Sequence, residues 1–299
     1  MSEPKRHHYV PIFYLKRWMG SDGRLCEYSR PHSIVKVKRK SPGATGYVDG
    51  LYTIPGFPAD RVEIVEKQFM GAIDNEGAKA VGAILNGDFR ETGAGPLSLS
   101  ERQRSWFATF IWSLFVRLPQ SLKRLDELGR VANPNVEELE VIREAYPYLR
   151  AASDPVSFDD YKALQHSLPE VPGAQLIPTA VHNIPMIAGI ASMESTVAAF
   201  VSPKHSILTS DRPALVTHPF NHPESFLTFP LSPRHVFLAA RDSDRIREIK
   251  TLGPDVLSKA VNAQIVAHAD KYVYGTDDSQ LRFVENRLQR WPRHRSSSR

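Results

Sequence analysis

Two adjacent imidazoles, His7 and His8, come first among the side chains that could do chemistry, because imidazole both ligates metal ions and moves protons near neutral pH. They sit in Lys5-Arg6-His7-His8-Tyr9-Val10-Pro11-Ile12-Phe13-Tyr14-Leu15-Lys16-Arg17-Trp18, an aromatic-rich stretch where chains normally fray and turn polar. Such density predicts a segment pinned into the body of the fold. Neighbouring side chains of an extended segment point to opposite faces, so one histidine faces a given site while the other bonds locally or packs. The plainer alternative is a structural pair that caps the next helix through Pro11.

Carboxylates follow on a helix expected from about Asp60. Glu63 and Glu66 share a face, and Asp74 returns near that face after about two turns. Two or three such groups with a histidine could hold Mg²⁺ or Mn²⁺, or they are simply the wet side of the helix. Arg117 precedes Leu118-Pro119; a proline break there would present its guanidinium to an anion, and pairing with a neighbouring carboxylate is the equal alternative. Asp211, in Thr209-Ser210-Asp211-Arg212-Pro213, follows a strand, which suits either a catalytic carboxylate or an ordinary turn. His218 and His222 are four apart, but Pro219 and Pro223 forbid the helix that would make this a ligand spacing, so they are set aside. Gly-rich phosphate loops, G-x-S-x-G, C-x-x-C and H-E-x-x-H strings are absent, which argues against P-loop, α/β-hydrolase and zincin chemistry.

The elements that must position these groups can be read from periodicity. Arg24–Tyr28 and Ile34–Lys38 alternate as a hairpin. Val62, Val65, Phe69, Ile73, Ala80 and Ile84 mark a long helix stopped by Asn86-Gly87, and Ser100-x-x-Gln103 is a capping box that opens a second one, broken at Pro119. A further turn is expected over 121–128. Pro134–Leu149 and Ser157–Ser167 read as short amphipathic helices, and Ile177–Met193 as an apolar one distorted at Pro185. Five short runs at 197–201, 206–209, 214–217, 226–229 and 235–239 read as one antiparallel sheet, with Phe229-Pro230-Leu231-Ser232-Pro233 as a bend. A helix over 254–268, a strand at 272–274 and a closing helix complete an α+β fold, a helical layer on a mainly antiparallel sheet from the C-terminal half.

At 299 residues and 41% apolar content the chain can bury a large core, and we expect one domain over 1–290 followed by a basic, flexible tail at 291–299. Its apolar runs are too short or too interrupted to span a bilayer, so no membrane partner is expected. The opening residues lack an apolar signal region and Cys26 is the lone cysteine, which gives a reducing, cytoplasmic expectation. The net charge of +5 and pI near 9.2 come largely from the ends, in Lys5, Arg6, Lys16, Arg17, Arg290, Arg293, Arg295 and Arg299. Basic ends of this kind suit nucleic-acid phosphates, or are a solvated face.

Some ββα-metal nucleases carry the same His-His-x-x-Pro string, one histidine on the ion and its neighbour the general base, but the Asn and His of their next helix are not evident here. Taken together, His7-His8-Tyr9-Val10-Pro11 with Tyr14-Leu15, the Glu66–Asp74 helix, Arg117-Leu118-Pro119, Thr209-Ser210-Asp211-Arg212-Pro213 and Phe229-Pro230-Leu231-Ser232-Pro233 resemble a widespread microbial and fungal family. It is catalogued as domain of unknown function number 4238, and the resemblance runs from Lys5 to about Tyr274. It implies that these strings belong to one domain and one site, with His7 or His8, Glu66, Asp74, Arg117 and Asp211 as its polar members. Where the family often has Glu in the first long helix, this chain has Asp74.

Two functional expectations follow. One is a metal-assisted phosphodiester hydrolase or nuclease, with a histidine as base or ligand, Glu66, Asp74 and Asp211 holding Mg²⁺ or Mn²⁺, and Arg117 on the phosphate. The other is a non-catalytic binding module whose His, Arg and Asp cluster is a structural hydrogen-bond network.

Overall fold

Strand His235–Ala240 is apolar at nearly every position because both of its faces are covered. Phe237 and Ala239 turn into one hydrophobic core, and Val236, Leu238 and Ala240 into another. A continuous apolar run is what a doubly buried strand requires. The computed structural model describes residues 6–53, 65–87, 94–96, 99–131, 157, 159, 173–200 and 206–289. The helix expected over 134–149, that over 157–167 except for residues 157 and 159, the start of the first long helix and the basic tail lie outside them.

In chain order the strands are β1 (Arg6–His8), β2 (Leu25–Ser29), β3 (Lys36–Lys40), β4 (Tyr47–Asp49), β5 (Ala94–Pro96), β6 (Glu194–Ala199), β7 (Thr209–Ser210), β8 (Leu215–Val216), β9 (Phe226–Ser232), β10 (His235–Ala240) and β11 (Tyr272–Gly275). The helices are α1 (Ile12–Leu15), α2 (Gly71–Leu85), α3 (Glu101–Val116), α4 (Pro119–Val131), α5 (Gly173–Val181), α6 (Ile184–Ala191), α7 (Ser243–Lys250), α8 (Pro254–His268) and α9 (Leu281–Glu285). Among the described residues every strand pairing is antiparallel: β1 with β4, a sheet in the order β3-β2-β11-β7, and a sheet in the order β5-β6-β10-β9-β8. The α+β reading holds. No helix among the described residues is long and apolar enough to cross a membrane.

On one side of the five-stranded sheet, Phe107 of α3 meets Phe237 edge-on at 5.0 Å, while Phe110 packs against Phe229. Helix α2 lies close along α3 because Gly77 has no side chain: a Cβ there would come within 2.6 Å of the Phe110 ring. On the other side, Ile246 and Ile249 of α7 join Val261, Ile265 and Val266 of α8 in the second core.

The opening stretch is fastened to the C-terminal half. The Tyr14 ring stacks on Phe229 at 5.2 Å, its hydroxyl donates to the Pro230 carbonyl at 2.9 Å, and the Trp18 indole donates to the Ile207 carbonyl at 2.8 Å. Both side chains are fully buried.

Some elements differ from the reading by periodicity. The 206–209 run supplies β7, which pairs with β11 in the four-stranded sheet, so short apolar runs gave the strands but not their partners. β9 runs through Pro230 instead of bending there, with a register irregularity against β10 at His235/Val236. The 177–193 helix is two helices, since Asn183 accepts from the Met186 amide at 3.1 Å and starts α6 anew beside Pro185. The turn expected over 121–128 is the full helix α4, with Pro119 as its first residue, where a missing N–H costs nothing.

Candidate functional site

β1 settles which histidine turns inward. His7 is 2% exposed, whereas His8 on the opposite face is half-buried. The His7 ring lies parallel to Tyr52, at 5.5 Å and 9°, and its Nδ1 accepts the Tyr52 amide proton at 2.8 Å. A neutral imidazole used this way carries its own proton on Nε2. Burial pushes the His8 pKa down, and its Nε2 lies 3.3 Å from the Gly43 carbonyl. A neutral His8 therefore donates from Nε2 to that oxygen and leaves Nδ1 as its free lone pair.

Tyr52 is the hub. Burial pushes its hydroxyl pKa far up, with Arg117 pulling down and Glu66 and Asp74 pushing up, so all three charges act on one phenol. Its oxygen sits 3.4 Å from the Arg117 carbonyl and 3.5 Å from the His8 carbonyl, at the long limit for hydrogen bonds. Arg117 caps α3 and is 0% exposed. It donates to Asp74 of α2 at 2.9 Å and to the Ser113 hydroxyl, one turn back, at 2.8 Å. Ser113 in turn donates to the Phe110 carbonyl at 2.7 Å. Burial raises the Asp74 pKa against the pull of Arg117, and 27% of that side chain reaches solvent. Glu66 is half-buried on a π-helical turn, Val65–Met70, that leads into α2. Its wider winding re-aims side chains relative to a regular helix.

Asp211 stands apart. It is 1% exposed, and its carboxylate accepts the backbone N–H groups of Asp270 at 2.9 Å, Lys271 at 2.7 Å and Tyr272 at 3.1 Å. Burial drives its pKa up to about 7 while those amides pull the other way. No hydrogen bond or ion pair among the described residues joins it to Asp74 or Arg117. It faces Tyr9 and Tyr274 instead, where the buried Thr45 hydroxyl donates to Glu27 and Tyr274 lies 3.0 Å from Thr45 Oγ1. The N-terminal strand thus runs between two polar networks. His7, Glu66, Asp74 and Arg117 gather around Tyr52, His8 turns to the Gly43 loop, and Asp211 ties β7 to the start of β11.

Sequence reasoning overlooked Tyr52 and Ser113. A tyrosine after a Gly-rich loop carries no pattern of its own, and Ser113 was visible only as the residue one turn before Arg117. It also set aside the single His and carboxylate trio whose donor atoms converge among the described residues. His218, His222 and Glu224 have ligand atoms all within 4.8 Å of one another. Pro219 and Pro223 do exclude a helix, as expected, but the turn they build brings the two rings together.

The site chemistry therefore divides into a sealed Arg117 and Asp211, a partly open Glu66 and Asp74 edge, and an exposed histidine turn. No curated protein and no solved structure matches the chain. Residues 6–279 do match the family described as protein of unknown function (DUF4238), and since that is most of the chain, the chain belongs to this family.

Proposed function

We propose that the protein is a non-catalytic binding module in which the His7, Arg117 and Asp211 strings are hydrogen-bonded anchors of the fold. The observation that carries this reading is the sealing of both charged groups that a hydrolase would bring to the reacting atoms. Arg117 is 0% exposed, and Asp211 is 1% exposed with three amide donors filling its oxygens. A group acting on substrate must reach it, and a ligand carboxylate needs lone pairs for the ion.

The second reading is a metal-assisted phosphodiester hydrolase or nuclease using Mg²⁺ or Mn²⁺. It is supported by the partial exposure of Asp74 beside Glu66, both acting on Tyr52. In that reading His7 or His8 is the base, and Asp211 drops out of the ligand set. The basic ends belong to either reading as a route to nucleic-acid phosphates. One experiment separates the two: Arg117→Ala and Asp74→Ala, each with a melting temperature and turnover of a phosphodiester in the presence of Mn²⁺. The binding-module reading expects a lowered melting temperature and no Mn²⁺-dependent turnover in the wild type. A wild type that turns over, with a stable but inactive Asp74→Ala, would give the site to the hydrolase.

A further inference from the structure

The loop 217–225 between β8 and β9 is built before any ligand arrives. Its ends are closed by the Thr217 amide on the Phe226 carbonyl at 3.0 Å, and its middle by the His222 amide on the Pro219 carbonyl at 2.8 Å. Phe220 is buried against Trp112 and Phe115, and the Arg241 guanidinium holds the Phe220 carbonyl at 2.7 Å. Two prolines, Pro219 and Pro223, restrict the backbone further. On this frame the His218 and His222 rings stack at 4.6 Å and 15°, and His218 Nε2 faces Glu224 Oε2 at 4.0 Å.

The bonds of Thr217 determine what His218 presents. Its hydroxyl accepts the Phe226 amide at 3.0 Å and spends its single proton on the Glu224 carbonyl at 3.3 Å. With its proton on that carbonyl, the hydroxyl accepts from His218 Nδ1, at 3.2 Å. That places the proton of a neutral His218 on Nδ1 and leaves the Nε2 lone pair aimed at a carboxylate. A cation between these two electron-rich atoms, either a second imidazole proton or a metal ion in its place, relieves their repulsion. An oxygen acceptor that holds the remote N–H fixes the tautomer of a metal-binding imidazole, and the Thr217 hydroxyl takes that place here.

We propose that His218, His222 and Glu224 form a binding site for a divalent transition metal ion of the Zn²⁺ class, with a coordination position left open. Two imidazoles and one carboxylate are borderline-to-hard donors that suit Zn²⁺ and disfavour Mg²⁺ or Ca²⁺, whose shells are all oxygen. His222 joins by exchanging a long 3.2 Å bond from the Glu224 amide at its Nδ1 for the ion. The rings are exposed, so small rotations close the 4.8 Å spread of donors. Three protein ligands leave a fourth tetrahedral position for water or an anion. That position borders a cleft of about 560 Å³ lined by Thr217, His218, Glu224, Asp242, Arg245 and Glu248, in which Arg245 is paired with Glu248 at 3.2 Å. The site shares no residue with the network around Tyr52, so it stands whichever reading of that network is right.

The test uses the full chain without a histidine tag. Zn²⁺ is titrated calorimetrically and Co²⁺ by its visible absorption, for the wild type and for His218→Ala, His222→Ala, Glu224→Gln and the control His268→Ala, an exposed histidine outside the trio. The proposal expects one equivalent of Zn²⁺ per chain and an intense tetrahedral Co²⁺ spectrum. Each trio substitution should weaken binding at least tenfold and the control should leave it unchanged, with melting temperatures of the metal-free variants at the wild-type value because the trio is exposed. Absence of saturable one-equivalent binding overturns it. So does a His218→Ala/His222→Ala double variant that binds Zn²⁺ as tightly as the wild type.

Discussion

Replacing Asp211 by alanine removes the acceptor for three backbone donors at once. The amides of Asp270, Lys271 and Tyr272 lie 2.9, 2.7 and 3.1 Å from its oxygens, on half-buried residues that water reaches only in part. Stranding a buried donor costs about 1–3 kcal/mol, so three partly hydrated donors at the low end give about 3 kcal/mol. At about 2 °C per kcal/mol for a chain of this size, the melting temperature, measured at a pH where the carboxyl keeps its proton, should fall by about 6 °C. The second half of the assay is turnover of a phosphodiester with Mn²⁺ at pH 7.5 in the same preparations. The anchor role predicts a destabilised protein whose phosphodiesterase signal equals the wild-type background. A variant that melts within 1 °C of the wild type while losing a metal-dependent activity would refute the reasoning, because the carboxylate would then matter to chemistry and not to the turn.

Other outcomes follow from the same geometry. Burial holds the Asp211 pKa at about 7, above its ordinary value of 3.8, so between those pH values the folded chain retains a proton that the unfolded chain has released. Stability contributed by this group is therefore present below about pH 4 and is lost as pH rises to 7, at up to about 1.4 kcal/mol per pH unit; the denaturant midpoint of the wild type should fall relative to that of Asp211→Asn, which has no carboxyl to ionise, as pH rises across that window. Arg117→Ala should cost about 3 kcal/mol by leaving Asp74 partly buried without its partner, and a double-mutant cycle with Asp74→Ala should show coupling of at least about 1 kcal/mol. Gly77→Ala should cost about 1–3 kcal/mol in chemical denaturation, because its Cβ would press on the Phe110 ring and force α2 from α3.

Much of this was legible in the chain. The Ser100 capping box forms with both of its bonds, the hairpin 24–38 forms as β2 and β3, and the run at 235–239 forms β10. The density of rings around His7 did mark a buried segment, because Tyr14 and Trp18 cost too much apolar surface to leave in water. The convergence of His7, Glu66, Asp74 and Arg117 was implied by the family resemblance, and periodicity alone did not give it. Roles were harder to read than places. Asp211 looks the same in sequence whether its oxygens meet an ion or three amides, and only the chain reversal near 270, almost sixty residues on, decides it. His218 and His222 failed a helix-based spacing test because a proline-built turn brings side chains together by another route.

The most direct measurement of the anchor claim is native-state hydrogen exchange at four amides: Tyr52, whose N–H is held by His7, and Asp270, Lys271 and Tyr272, held by Asp211. If these bonds fasten the fold, the four amides exchange with the slowest class in the molecule and are released together with the core. Exchange at the rate of an open surface loop at these positions would contradict the account and return the two motifs to the search for a reactive site.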